Sequence, residues 1–367
     1  MLGNVARVSV WVSDSVTEES DHILRRVERS VGQLTLNRPR ALNAVNTDMV
    51  RAISAALDVW GNDSDIDTVV FDGAGERGFC AGGDVRQLRE QILAGSSSAA
   101  LQFFVAEYTL NARIAEYPKP IVTIADGVTM GGGVGLASHA AHRIVTERSR
   151  LAMPETRIGF TPDVGGSWLL AHAPGRLGEY LALTGAVMDA SDAIHAGFAD
   201  HFVPAERLDG LREALTNRAD PGSPAEIVLL FDETPHASRL AESREWIDDA
   251  FSAETVPEIV ERLRARPELE AAETLQLLGE LSPTALTVTL AAVRRVRELP
   301  NLRAALAQEF GLVSWFIQTQ PDLVEGIRAQ IVDKDRTPSW HPADLASVPP
   351  GLAAEALAHV PPMPLWN

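Results

Sequence analysis

A single cysteine, Cys80, is all that the sequence holds, which rules out an internal disulfide and fits a reducing compartment. Long apolar runs are missing too, and none approaches the ~20 residues that a membrane-spanning helix needs. Basic residues are scarce: 32 Lys and Arg stand against 50 Asp and Glu, a formal charge of −18. A surface that coats nucleic acid needs a basic excess, so neither nucleic acid nor a membrane is an expected partner. From Met1 to Asp21 the only basic residue is Arg7, with no long apolar stretch, so no secretory signal is read there. The expectation is a cytoplasmic protein. A Walker P-loop is absent, and so is a G-x-S-x-G nucleophile elbow, because Gly165-Gly166-Ser167-Trp168-Leu169 lacks the closing glycine.

What is present is an ordinary globular mix over 367 residues, 46% hydrophobic and 22% charged, enough for one elaborated domain or two. Short strands are expected at 23–26, 33–36, 68–71 and 121–125. Helical spacing of apolar residues runs through Met49, Ile53, Ala56, Leu57 and Trp60, and again through Leu101, Phe104, Val105 and Tyr108. A helix of small residues is expected to follow Gly133 as far as Ala141. This alternation argues for α/β layering over residues 21–205. Residues 206–347 read as a helical region that contains a linker at 221–224, with amphipathic helices after it at 226–230, 246–251, 256–263, 275–281 and 284–299. Residues 1–20 read as an extension, and 348–367, rich in proline and alanine, as a loose tail.

Three patterns mimic function. Gly73-Ala74-Gly75-Glu76-Arg77-Gly78 has the spacing of a dinucleotide fingerprint. However, residues 79–83 prolong the loop where a helix must begin, and no acid follows about twenty residues on. His139 and His142 could share a helix face, but no cysteine or acid accompanies them to complete a zinc site. Cys80 has no histidine motif beside it and reads as a small buried thiol.

Two glycine-rich elements are more informative, because each ends a strand. They are Cys80-Ala81-Gly82-Gly83-Asp84 and Met130-Gly131-Gly132-Gly133. Glycine lets a ligand approach the backbone closely, and two N–H groups aimed at one point form an oxyanion hole. Two carboxylates follow on a stretch broken by proline and glycine, Pro154-Glu155 and Pro162-Asp163. Asp163 either caps the next helix, at about 165–172, or faces a pocket. Glu155 is either a solvated turn acid or its counterpart in that pocket. If both face the glycine pair, the set suits acyl chemistry without a metal, one acid attacking or activating water and the other handling protons.

At these residues the sequence resembles the crotonase (enoyl-CoA hydratase/isomerase) superfamily. The resemblance lies in Asn37-Arg38-Pro39…Leu42-Asn43-Ala44, Phe79-Cys80-Ala81-Gly82-Gly83-Asp84, Asp126-Gly127…Met130-Gly131-Gly132-Gly133, Pro154-Glu155…Gly159 and Ala193…Ala196-Gly197. It implies an α/β spiral of ββα units with a helical C-terminal region, binding coenzyme A thioesters. Carried over, the oxyanion donors are the N–H groups of Ala81 and Gly132. Hydratases of the superfamily use two glutamates, and one of those positions is Gly135 here. Glu155 survives at the other, and Asp163 stands where hydratases usually have glycine.

That combination resembles the superfamily's 3-hydroxyisobutyryl-CoA hydrolase branch, as do Glu107-Tyr108, Leu183-Thr184-Gly185, Ser282-Pro283-Thr284, Glu325-Gly326-Ile327-Arg328-Ala329 and the run from Asp333 to Trp340. The branch implies Glu107, Gly132, Glu155 and Asp163 as site residues, with Gly82, Gly83 and Asp84 on the substrate-binding loop. It also implies hydrolysis of a short β-hydroxyacyl-CoA in valine catabolism, with no cofactor besides the coenzyme A of the substrate. Same-fold alternatives are an enoyl-CoA isomerase and a non-catalytic CoA-thioester or RNA-binding protein. Crotonase relatives are often trimers or hexamers, which leaves room for a homo-oligomer. Coenzyme A is anionic, so a local basic patch must receive it, with Arg38 and Arg40 as candidates.

Overall fold

The computed structural model describes residues 22–217 and 223–366. The 1–20 extension and residues 221–222 of the expected linker lie outside them. Eight strands run in chain order among the described residues: β1 (Ile23–Glu28), β2 (Val31–Leu36), β3 (Thr68–Gly73), β4 (Ile121–Ala125), β5 (Val128–Met130), β6 (His142–Val145), β7 (Arg150–Ala152) and β8 (His201–Phe202). Six form one sheet in the order β1-β2-β3-β4-β6-β8. It is parallel throughout except for the β1–β2 hairpin. β4 is buried at every position and β3 at all but its last, as a parallel strand covered on both faces must be. Val70, Val122, Ile124 and Ile144 face one layer, closed by the helices Leu208–Asn217 and Pro224–Leu229. The main core lies on the other face.

The second sheet is small and pairs β5 with β7 in parallel. Cys80 extends it through a parallel bridge to Thr129. Two chain segments therefore leave this layer side by side and in the same direction, one into Gly82-Gly83 and the other into Gly131-Gly132. The convergence of the glycine loops is a consequence of strand register.

The C-terminal helices pack on the core of the same chain. Pro283–Val296 lies against Leu177–Thr184 and Gly166–His172, and Leu302–Thr319 lies against Ser97–Ala115. Asp322–Ile327 covers the 3-10 turn Glu155–Ile158 and the helix Val85–Leu93. Gly326 permits this, since a Cβ there would stand 2.3 Å from the Ile158 carbonyl. Residues 352–366 are packed on the core rather than loose. Leu352–Ala358 forms a helix whose buried Leu352 and Ala356 pack on Pro283–Val296, and Leu365 is buried after it. Alanine and leucine supply a small apolar face that composition alone reads as a tail. The small-residue helix is shorter than expected, Gly132–Ala137. No helix among the described residues is long and apolar enough to cross a membrane.

Candidate active site

A cavity of about 430 Å³ opens where the two glycine loops meet. Its wall includes Ala81, Gly82, Gly83 and Asp84 from the first loop and Gly132 from the second, with Glu107, Glu155 and Asp163 facing them. Close backbone approach explains the glycines. A Cβ on Gly133 would stand 2.2 Å from the Cys80 carbonyl oxygen, and Gly82 has φ +104, which other residues rarely adopt. Asn43 holds the first loop from behind. Its amide donates to the carbonyls of Ala74 (3.1 Å) and Gly78 (3.0 Å) and its oxygen accepts the Arg38 N–H (2.8 Å).

One expected donor is displaced by two residues. The Ala81 N–H donates to the Leu42 carbonyl at 2.9 Å, so it is engaged within the protein, and the Gly82 N–H points to Cys80 Sγ at 3.4 Å. The N–H groups of Gly83 and Gly132 have no acceptor among the described hydrogen bonds. They are neighbours as well: a Cβ on Gly132 would lie 3.2 Å from the Gly83 nitrogen and 2.7 Å from Glu107 Oε1. The converging pair is therefore Gly83 with Gly132.

The carboxylates come from three elements. Glu107 lies on the helix Ser97–Ala115, Glu155 opens the 3-10 turn after β7, and Asp163 sits just before the helix Gly166–His172. All three are buried. Glu155 Oε1 is 2.8 Å from where a Cβ on Gly131 would be, and its Oε2 is buried without a hydrogen-bond partner. Asp163 Oδ2 accepts the Tyr108 hydroxyl at 3.0 Å. It does not cap the helix that follows, because Glu309 from Leu302–Thr319 accepts the N–H groups of Gly165 (2.7 Å) and Ser167 (2.9 Å) instead.

Burial raises the pKa of every acid in this group. Asp163 is pushed up to about 7, held from going higher by the Tyr108 hydroxyl and its own backbone N–H. Glu107 and Glu155 are raised well above the usual carboxylate range by burial and then by the charge of Asp163. Asp163 thus exchanges its proton near neutrality, and because the three acids interact their apparent pKa values belong to the group. The Cys80 thiol is pushed up to about 12 by burial, which keeps it protonated and unreactive. His139, buried, is lowered to about 4 by desolvation and contacts the Val164 carbonyl at 2.8 Å. No cluster that could hold a metal occurs among the described residues.

The cavity's cations differ from those expected. Arg38 is committed to the Ala44 carbonyl (2.6 Å) and to Asp84 (3.4 Å), and neither it nor Arg40 lines the cavity, whereas Arg157 and Arg336 do. Arg336 belongs to a C-terminal segment whose part was not readable from composition. Arg328 grips Glu325 through two contacts of 2.8 Å and reaches Asp333 (2.8 Å) and Asp335 (2.6 Å). Glu325 in turn accepts the Ser339 N–H at 2.9 Å. Upstream, Asp322 accepts Ser282 Oγ at 2.5 Å and the His341 N–H at 2.7 Å. These bonds hold the segment over the opening.

Converging glycine loops on a parallel α/β core, faced by buried acids, define a class of acyl-thioester protein. The enoyl-CoA hydratase/isomerase family model matches residues 31–357, and the chain belongs to that family. The crotonase-type fold with a helical C-terminal region is thus as expected. Its relatives are more particular. The mitochondrial 3-hydroxyisobutyryl-CoA hydrolase of Rattus norvegicus is 41% identical over 343 residues, 90% of this chain and 87% of its own. The Homo sapiens protein of that name is 39% identical over 342 residues, with the same coverage of 90% and 87%. Among solved structures, a carnitinyl-CoA dehydratase from Mycobacterium thermoresistibile gives a TM-score of 0.88 at 43% identity, over 94% of this chain and 98% of its own. An enoyl-CoA hydratase from Rhodobacter sphaeroides gives 0.86 at 44%, over 92% and 98%. The cytoplasmic expectation does not stand against relatives named as mitochondrial; composition and the character of residues 1–21 carry no compartment.

Proposed function

We propose that this chain hydrolyses a short β-hydroxyacyl-CoA thioester, with 3-hydroxyisobutyryl-CoA as the substrate, the activity named for its curated relatives. The observation that carries the reading is the meeting of Glu155 and Asp163 on one cavity wall with the unengaged N–H groups of Gly83 and Gly132. The thioester carbonyl rests on those two donors, which favour the oxyanion of the tetrahedral state. Glu155 then attacks the carbonyl to give a mixed anhydride that water opens, or takes a proton from water that attacks directly. In either route the thiolate of coenzyme A leaves and is protonated. Asp163, oriented by Tyr108, handles that proton or holds the β-hydroxyl, and Glu107 borders the acyl end. The reaction uses side chains and water only, with no cofactor besides the substrate's own coenzyme A. In valine degradation this step releases 3-hydroxyisobutyrate.

Thiol release from 3-hydroxyisobutyryl-CoA tests the reading. Glu155→Gln and Asp163→Asn are each expected to lower kcat by at least about 100-fold while the proteins stay folded by circular dichroism. Unchanged release in both variants would remove the mechanism. A shift of the double bond in an enoyl-CoA, without thiol release, would replace hydrolysis with isomerisation.

A further inference from the structure

Asp163 lies three residues before the helix Gly166–His172, whose N-cap is Gly165, a residue with no side chain to cap it. Its carboxylate is turned away, toward Tyr108 and the cavity. The N–H groups of Gly165 and Ser167 at the helix start go to Glu309, which stands 144 residues from Gly165 in sequence and is fully buried. The reaction drawn above does not use Glu309. A buried acid needs partners, and this one has the N–H groups of Gly165 (2.7 Å) and Ser167 (2.9 Å) and the Ser167 hydroxyl (2.5 Å).

The turn held in this way is strained. Val164 has φ +53 and Gly165 φ +76, and a β-branched side chain rarely accepts the left-handed region. Contacts fix it on both sides: His139 Nε2 meets the Val164 carbonyl at 2.8 Å, and Glu309 takes the next N–H. The residue after Glu309 completes the arrangement. The Phe310 ring packs edge-on against Tyr108, with centroids 6.4 Å apart. One C-terminal helix thus sets both the turn that carries Asp163 and the ring that donates to it.

We propose that Glu309 is a positioning residue for Asp163: by accepting the N–H groups of Gly165 and Ser167 it takes over the capping role, and leaves the Asp163 carboxylate facing Tyr108 and the cavity. Burial pushes the Glu309 carboxyl up to about 8, and the Ser167 and Gly165 donors oppose that rise; its ionised form suits this task because both oxygens accept. A glutamine offers one acceptor and turns its N–H2 toward the other donor, so Asp163 becomes free to swing back onto the helix. The inference rests on the hydrolase reading for its kinetic test alone.

Thiol release from 3-hydroxyisobutyryl-CoA is measured for the full chain, Glu309→Gln, Asp163→Asn and the double variant. Glu309→Gln is expected to lower kcat about 10- to 100-fold, as small misplacements of a reacting group do, with KM within about threefold of the parent. In the Asp163→Asn background the same change is expected to cost less than about threefold, since a positioning residue has nothing left to position. An equal loss in both backgrounds, or a lower melting temperature with unchanged kcat, overturns the proposal. Carboxyl carbon NMR of Asp163 gives a readout that needs no turnover, and its titration midpoint is expected to move in Glu309→Gln. An unmoved midpoint overturns the proposal, whereas absence of thiol release from the parent protein sinks the hydrolase reading alone. Should Glu309→Gln fail to fold, Ser167→Ala removes one contact of the same clamp. It is expected to lose about two- to fivefold in kcat, an effect absent when Asp163 is Asn, and persistence of that effect counts against the proposal.

Discussion

Gly135 lies flush against Val164: a Cβ on the glycine would stand 2.7 Å from the valine's Cβ. The same atom would be 2.8 Å from Asn111 Nδ2, inside a fully buried amide that has no hydrogen-bond partner. The position at which hydratases of the superfamily carry a second glutamate is therefore closed here by packing. The turn that closes it is the one presenting Asp163. Gly135→Ala is expected to destabilise the fold by about 1–3 kcal/mol, the usual cost of overpacking, and Gly135→Glu by more. Neither variant should hydrate crotonyl-CoA. Thermal melts and a hydration assay check this, and a Gly135→Ala protein that melts with the parent would show that the site has room.

Tyr108 gives the pH dependence its sign. Its hydroxyl donates to the ionised form of Asp163 and so pulls that carboxyl down from where burial would place it, to about 7. Removing the donor in Tyr108→Phe disfavours the charged form, and the pKa rises. If an ionised Asp163 is needed, the acid limb of kcat/KM moves to higher pH in the variant, and activity lost at neutrality returns in alkaline buffer. Profiles from about pH 5 to about pH 9 read this directly. An acid limb that stays in place would mean that Asp163 works as its neutral acid.

How much of this was legible follows from which contacts are local. Strands β2 to β4 and the helix Thr47–Asn62 were readable because runs such as Thr68–Gly73 and the spacing of Met49, Ile53 and Leu57 carry their own period. Strands β6, β7 and β8 are two to four residues long and exist through pairing. Leu302–Thr319 escaped notice because it is buried on nearly every side, which leaves no polar stripe to reveal a helical face. At the site, the glycine loops and both acids announced themselves by residue type. Which N–H is unengaged did not, since the Leu42 carbonyl decides it from another part of the chain. Glu309 left one usable sign, a lone acid between Leu306 and Val313 in an apolar helix.

The segment beyond Ile327 owes its shape to Arg328. That guanidinium joins Glu325, Asp333 and Asp335, and the loop it gathers carries Arg336 to the cavity wall. Arg328→Gln removes every one of these contacts while leaving Glu155, Asp163 and the glycine loops untouched. The expected result is a KM for the CoA thioester raised several-fold with kcat within about twofold, the pattern for lost binding that ground and transition states share. Arg328→Lys should behave nearly as badly, because one ammonium cannot replace a planar fork spread over three carboxylates. Added salt should narrow the gap between parent and variants, since screening weakens exposed pairs. A loss confined to kcat would place this loop in the chemistry itself, and would count against a role in holding the coenzyme A end.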